Sequence, residues 1–350
     1  MTRALVVDDS HFMRTVITDI LESSGIEVVD QGRNGREAVE LVQEYDPDVV
    51  TMDVEMPEMN GIEAVEAIMD RHPVPILMLS ALTTKGADAT LEAMDKGAVD
   101  AFAKPSGTIS TDLSSHGEDL VEAVETVARA DPTAHRTTTT SRDSSASVSR
   151  SSAAEFVEDP TLVIGASTGG PNVVESLLSE LPREADFRVL VVQHMPDEFT
   201  ERFANRLDAG SAYDVREATD GERIGGGEAL VAKGDYHLAV TGYSNGRLRV
   251  RLDQSEQVHS VRPAIDVTME SVAETVTDHV TAVLLTGMGA DGAAGAVAIQ
   301  EAGGATIAQD EETSAVFGIP ARAIETGCID TVLPAGDIVD GILDTIRRDT

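Results

Sequence analysis

Ser167, His194 and Asp291 are three side chains whose types could together cleave an acyl bond. Each follows a short apolar run that reads as a strand: residues 162–164, 188–192 and 281–285. In one parallel sheet the C-terminal ends of such strands share an edge, and that edge is where sites are built. A serine, a histidine and a carboxylate there supply a nucleophile, a general base and an anion that orients the base. The pentad Gly165-Ala166-Ser167-Thr168-Gly169 fits the G-x-S-x-G turn that presents a serine between strand and helix. Alone, this turn is compatible with a nucleophile, an anion cradle at a helix start, or a plain turn. The chain order Ser, His, Asp differs from the Ser, Asp, His order of α/β-hydrolases, which argues against that fold but not against a triad. His237 opens a strand and reads as a packing residue, and His259 lies in a polar loop. Glycines 287, 289 and 292 would let backbone N–H groups near Asp291 approach an oxyanion.

A second polar set ends the strands of the first third of the chain. Asp8 and Asp9 follow residues 4–7, Asp53 follows 48–52, Ser80 follows 75–79 and Lys104 follows 100–103. Three carboxylates converging at one edge repel one another unless a cation joins them. Hard oxygen ligands without His or thiol suit Mg²⁺. A lysine and a hydroxyl opposite could hold a phosphoryl group.

The elements that must position these residues alternate between strand and helix. Across residues 3–130 five strands alternate with helical patterns at 10–21, 34–45, 61–70, 85–95 and 118–129, which predicts an α/β, doubly wound, five-stranded parallel sheet. Residues 131–156 read as a flexible linker, because 12 of the 23 residues from 132 to 154 are Ser or Thr. Residues 157–350 alternate again, with helices at 172–181, 198–207, 264–276, 293–302 and 339–347. That predicts a second doubly wound parallel sheet. The short strands at 229–232, 237–241 and 247–252 are expected to form an antiparallel hairpin region.

Composition bounds the function. The 350 residues carry 62 acidic and 26 basic side chains, a net charge of −36, and only 4 of the basic residues are lysines. Such a surface lacks the basic footprint of a nucleic-acid binder. Its self-repulsion needs screening, so we read it as a chain built for high salt, that of a halophile. The single cysteine, Cys328, excludes an intrachain disulfide and fits a reducing compartment. With no spanning-length apolar run and no signal pattern, the expected location is cytoplasmic, without membrane insertion.

Residues 3–130 resemble a response-regulator receiver domain. The matching pieces are Asp8-Asp9, the run Met52-Asp53-Val54-Glu55-Met56-Pro57 on to Asn60-Gly61, Ser80-Ala81 and Lys104-Pro105. The resemblance implies phosphoryl transfer from a chemotaxis histidine kinase to Asp53, Mg²⁺ held by Asp8, Asp9 and Asp53, and phosphoryl contacts from Ser80 and Lys104. One position departs from the pattern: the aromatic that receivers often carry three residues before the lysine is Ala101 here, with Phe102 beside it. Adjacent strand residues face opposite ways, so the aromatic part of the usual switch is not expected.

The segments Ile164-Gly165-Ala166-Ser167-Thr168-Gly169-Gly170-Pro171, Val192-Gln193-His194-Met195-Pro196 and Leu285-Thr286-Gly287-Met288-Gly289-Ala290-Asp291-Gly292 resemble the chemotaxis receptor methylesterases of the CheB family. With the receiver, the resemblance covers nearly the whole chain. It implies Ser167 as nucleophile, His194 as base, Asp291 as its orienting partner, an oxyanion contact from the Met288 N–H, and Thr168 lining the site. It further implies methyl-ester hydrolysis on glutamates of chemoreceptor helices and deamidation of receptor glutamines; the two-domain layout itself suggests that the unphosphorylated receiver blocks access to Ser167. No cofactor is expected for the ester chemistry. The residues alone would also serve another ester or amide, or a binding module using the loop at 165–170.

Overall fold

The computed structural model describes residues 1–81, 84–104, 117–132 and 156–348. Residues 133–155, most of the expected linker, lie outside the described residues. The chain divides into two units, Met1–Thr133 and Ala134–Thr350.

In the first unit the order is β1 (Arg3–Val7), α1 (His11–Ser23), β2 (Glu27–Gly32), α2 (Gly35–Tyr45), β3 (Val49–Asp53), α3 (Gly61–Arg71), β4 (Ile76–Ala81), α4 (Thr84–Asp95), β5 (Asp100–Lys104) and α5 (Gly117–Val127). The five strands lie parallel in the order β2-β1-β3-β4-β5. β1, β3 and β4 are apolar because helices cover both faces, and Ala4 to Val7 are fully buried. The strand order reverses at β1, so the ends of β1 and β3 open a crevice where such sheets bind ligands. Helix starts follow their caps. Ser10 caps α1, Asn34 caps α2, and Asn60 with Glu63 forms a capping box on α3.

In β5, Ala101 is in register with Met78 and packs against the core cluster that includes Met78, Ala38 and Val65. Phe102 is in register with Leu79 and alternates to the other face. The aromatic therefore lies on the face opposite to that of position 101.

The second unit runs β6 (Thr161–Ala166), α6 (Gly170–Glu180), β7 (Arg188–Gln193), α7 (Asp197–Gly210), β8 (Asp214–Glu217), β9 (Arg223–Ile224), β10 (Glu228–Val231), β11 (His237–Ser244) and β12 (Arg247–Asp253). It continues with α8 (Ile265–Thr275), β13 (Val280–Leu284), α9 (Ala293–Glu301), β14 (Ala305–Gln309), α10 (Ile319–Glu325), β15 (Thr331–Leu333) and α11 (Ile338–Ile346). Seven strands form a parallel sheet in the order β15-β14-β13-β6-β7-β10-β8. β11, β12 and β9 form a separate antiparallel sheet.

Two features differ from expectation. The run at 229–232 is not part of the hairpin region: β10 pairs in parallel with β7 and β8. Ala229, Leu230 and Val231 are fully buried, as a strand covered on both faces requires. A short continuous apolar run carries no periodicity that separates the two cases. β9, within a stretch that reads as a glycine-rich loop, α10 and β15 were not expected; with two, seven and three residues they are too short to show a period.

Gly61 begins α3 directly against the end of β3. A Cβ there would lie 2.1 Å from the Asp53 carbonyl oxygen and 3.1 Å from the Val54 Cα, both backbone atoms that cannot swing away. Gly61→Ala should therefore lower the stability of this unit by about 1–3 kcal/mol, as overpacking does. Calorimetry on the full chain would register an earlier unfolding transition; an unmoved transition would show that the β3–α3 loop yields freely.

Candidate active site

β13, β6 and β7 are neighbours, so Ser167, His194 and Asp291 emerge at one edge. Backbone hydrogen bonds continue past the strands: the Ser167 N–H donates to the Thr286 carbonyl (3.0 Å) and the His194 N–H to the Ala166 carbonyl (3.0 Å). After Ser167 the chain turns through Gly169, whose φ of 76° is left-handed, into α6. Gln193 braces the turn, because its Nε2 donates to the Ser167 carbonyl (2.8 Å).

The loop after β13 passes directly against the serine. A Cβ on Gly287 would stand 2.6 Å from the Ser167 Cβ and 2.9 Å from its backbone nitrogen, so only glycine fits. The Gly287 carbonyl accepts from the N–H groups of Gly318 (3.0 Å) and Ile319 (2.7 Å), which pins the loop to the start of α10. Met288 follows and is 36 % exposed. Thr168 is buried, and its carbonyl accepts from Thr286 Oγ1 (2.9 Å).

His194 Nε2 lies 2.8 Å from Asp291 Oδ2. With Nε2 committed to the carboxylate, Nδ1 is the nitrogen available to take a proton from a nucleophile. Ser167 Oγ is not hydrogen-bonded to His194 among the described residues; nucleophile–base contacts often tighten only when substrate arrives. Asp291 is only 2 % exposed. Its Oδ2 also accepts from the Ile265 N–H (2.6 Å), and its Oδ1 from the Asp266 N–H (2.9 Å). Burial alone would push this carboxyl up, but the bond and charge of His194 and the two backbone donors outweigh it, and Asp291 is held below the ordinary carboxylate range.

His237 is buried, with Nδ1 accepting from the Ala264 N–H and Nε2 3.0 Å from the Glu256 carbonyl, a packing role as expected. His259 is no mere loop residue: its Nε2 lies 2.8 Å from Oδ2 of the buried Asp266. The sequence did not single out Asp266, Gln193 or Gly318.

At the edge of the first unit, Lys104 Nζ lies 2.7 Å from both Asp8 Oδ2 and Asp53 Oδ1. Asp8 is buried, Asp53 is 9 % exposed and Asp9 faces solvent. Each of Asp8, Asp9 and Asp53 can present an oxygen within 4.8 Å of the others. All-oxygen donors at that spacing, one of them open to water, fit a hard divalent cation such as Mg²⁺. Burial pushes the Asp53 carboxyl above its ordinary value despite Lys104. Lys104 is itself partly buried, which would lower it, yet the two carboxylates hold it above its ordinary value. Ser80 is fully buried one residue beyond Leu79, the register partner of Asp53. Arg14, also buried, donates to the Asp8 carbonyl (2.7 Å) and fixes the ligand loop from α1.

Comparisons with known proteins agree with both halves. The CheB methylesterase family model matches residues 162–342, and the response regulator receiver domain model matches residues 4–112. A protein of Halobacterium salinarum named protein-glutamate methylesterase/protein-glutamine glutaminase is 66 % identical over 350 residues, covering 100 % of both chains. A protein of the same name from Natronomonas pharaonis is 59 % identical over 348 residues, 99 % of this chain and 98 % of that one. The solved catalytic domain of Thermotoga maritima CheB methylesterase is 42 % identical, with a TM-score of 0.52, covering 54 % of this chain and 100 % of that one.

A carboxyl held below its ordinary value stabilises the fold at pH above its unfolded value, and that contribution disappears as pH falls through the folded value. Asp291→Asn should thus melt below wild type at pH 7. The gap should narrow once pH drops below about 4, the ordinary Asp value. Thermal melts of both proteins across that range check it; a gap independent of pH would remove the role of the charge.

Proposed function

The chain belongs to the CheB methylesterase family, and we propose on that basis that it hydrolyses glutamate γ-methyl esters on chemoreceptor helices, releasing methanol, under control of phosphorylation at Asp53. The observation that carries the reading is the convergence of Ser167 with the His194–Asp291 pair at the adjacent ends of β6, β7 and β13.

Ser167 Oγ attacks the ester carbonyl carbon while its proton passes to His194 Nδ1. Asp291 holds the ring through Nε2 and stabilises the imidazolium that forms. The Met288 N–H, next in the chain after Gly287, would donate to the oxyanion, and Thr168 lines the turn. His194 returns the proton to the leaving methoxide. Water then attacks the acyl-enzyme, losing its proton to His194, and glutamate is freed as Ser167 recovers its hydrogen. The same sequence hydrolyses a receptor glutamine, with ammonia leaving after protonation by His194, so deamidation accompanies esterase activity.

The receiver takes a phosphoryl group from a chemotaxis histidine kinase onto Asp53. Mg²⁺ held by Asp8, Asp9 and Asp53 would neutralise the oxygens of the incoming group. Lys104 exchanges its contact with Asp53 for a phosphoryl oxygen, and the Ser80 hydroxyl donates to another. Phosphorylation raises the esterase activity. No helix among the described residues is long and apolar enough to cross a membrane, and we place the enzyme in the cytoplasm, acting on the cytoplasmic receptor helices.

Methanol release from methylated receptor membranes in high salt tests this reading. Ser167→Ala should lower kcat by on the order of 10⁶-fold, to background. Mg²⁺ with a small phosphodonor should raise the wild-type rate and leave Asp53→Asn unchanged. Folded wild-type protein that releases no methanol in any condition would refute the esterase assignment.

A further inference from the structure

Two helices behind Asp291 begin without a cap of their own. α8 starts after Ala264 and α9 after Gly292, and neither residue has a side chain that can accept a hydrogen bond. Each helix is capped by the other's acid. Asp291, just before α9, accepts from the Ile265 and Asp266 N–H groups that open α8. Asp266, in the first turn of α8, accepts at Oδ1 from the Gly292 N–H (2.9 Å) and the Gly295 N–H (2.7 Å). The exchange needs close approach of the helices. Gly295 provides it, since a Cβ there would stand 2.6 Å from the Met269 Cβ.

Only one of the two acids reaches the reacting groups. Asp291 bonds His194, whereas the second oxygen of Asp266 bonds His259 Nε2 at 2.8 Å. His259 is held at some cost. It and Ser260 are the central residues of the tight turn bridging Val258 and Val261, with φ of 54° and 61°. Both angles are left-handed, a conformation that favours glycine or asparagine. Strain of this kind persists where surrounding contacts impose it and clusters at functional sites. Here the turn is closed by the Val258–Val261 bridge, and the side-chain contact it presents is the one from His259 to Asp266.

We propose that Asp266, clamped by His259, is a positioning residue for hydrolysis: it fixes the loop at 291–292 so that the Asp291 carboxylate stays on His194 Nε2. The inference rests on the reading of Ser167, His194 and Asp291 as the hydrolytic set. Asp266 and His259 touch neither substrate nor Ser167; they act through Asp291.

The test uses the full chain and two readouts: the rate at which a fluorophosphonate labels Ser167, and kcat and KM for methanol release. Labelling needs no receptor, so wild type that fails to label refutes the hydrolytic reading itself, separately from this inference. Asp266→Ala should slow labelling and lower kcat by about 100-fold with KM unchanged, the effect of a displacement near 1 Å. Asp266→Asn keeps an oxygen that can accept from both glycine N–H groups and should restore most of the rate. His259→Gly relieves the strained turn, so its melting temperature should hold or rise while kcat falls about threefold to tenfold. Joined to Asp266→Ala, it should add no further loss. Unchanged kcat in His259→Gly overturns the clamp. An Asp266→Asn rate as low as that of Asp266→Ala, or a loss confined to KM, overturns the positioning role.

Discussion

A buried carboxylate must be met by donors, and at Asp291 that requirement organises the second unit. An unpaired charge removed from water costs several kcal/mol, so burial to 2 % exposure is stable only with hydrogen bonds in place. Asp291 finds three: the His194 ring and the N–H groups of Ile265 and Asp266. These come from the end of β7 and the start of α8, while the residue itself stands between β13 and α9. Satisfying one charge therefore locks three segments that are distant in sequence. The orientation of the His194 ring and the docking of α8 are consequences of the same electrostatic demand.

The receiver meets the same problem with a different outcome. There two buried carboxylates share one ammonium, Lys104, and a third carboxylate remains in water. At Asp291 the donors are sufficient and the acid stays ionised below its ordinary range. At Asp53 burial and the neighbouring Asp8 outweigh Lys104, and the carboxyl lies above its ordinary value. An acid that is under-compensated in isolation has unspent affinity for positive charge. The network at Asp291 is complete in its hydrogen bonds; the three acids around Asp53 are spaced to suit a hard divalent cation. That is the physical difference between the two candidate sites.

What the sequence made legible follows from where each residue acts. Ser167, His194, Asp53 and Lys104 each end or follow an apolar strand, so a period change and a polar residue mark them together. Asp291 ends the glycine-rich loop that follows β13 and is marked in the same way. Asp266 lies inside a helix pattern, and its work is done on the backbone of residues 26 and 29 positions away. No local pattern reports such a bond. Gln193 and Gly318 escaped likewise, because the one through its side chain and the other through its N–H brace backbone carbonyl groups. β10 was misplaced because three buried apolar residues look alike in a hairpin and in a central parallel strand. Chemistry at strand ends is visible in the sequence; its supports, made across the fold through backbone groups, are not.

The charge of the chain bears on the same division. At −36 the surface repels itself and gains from concentrated salt. At 1 M salt the screening length is about 3 Å, so exposed ion pairs lose most of their attraction. The ion pairs at the two candidate sites are withdrawn from that screening: Asp291 with His194, and Asp8 and Asp53 with Lys104, are buried or nearly so. Lysine is scarce here, yet one of the 4 present lies between the receiver's carboxylates. Salt that quiets the repulsion between surface acids leaves these inner contacts nearly intact. The burial that makes each of these charges costly also shelters its pairing from screening by salt.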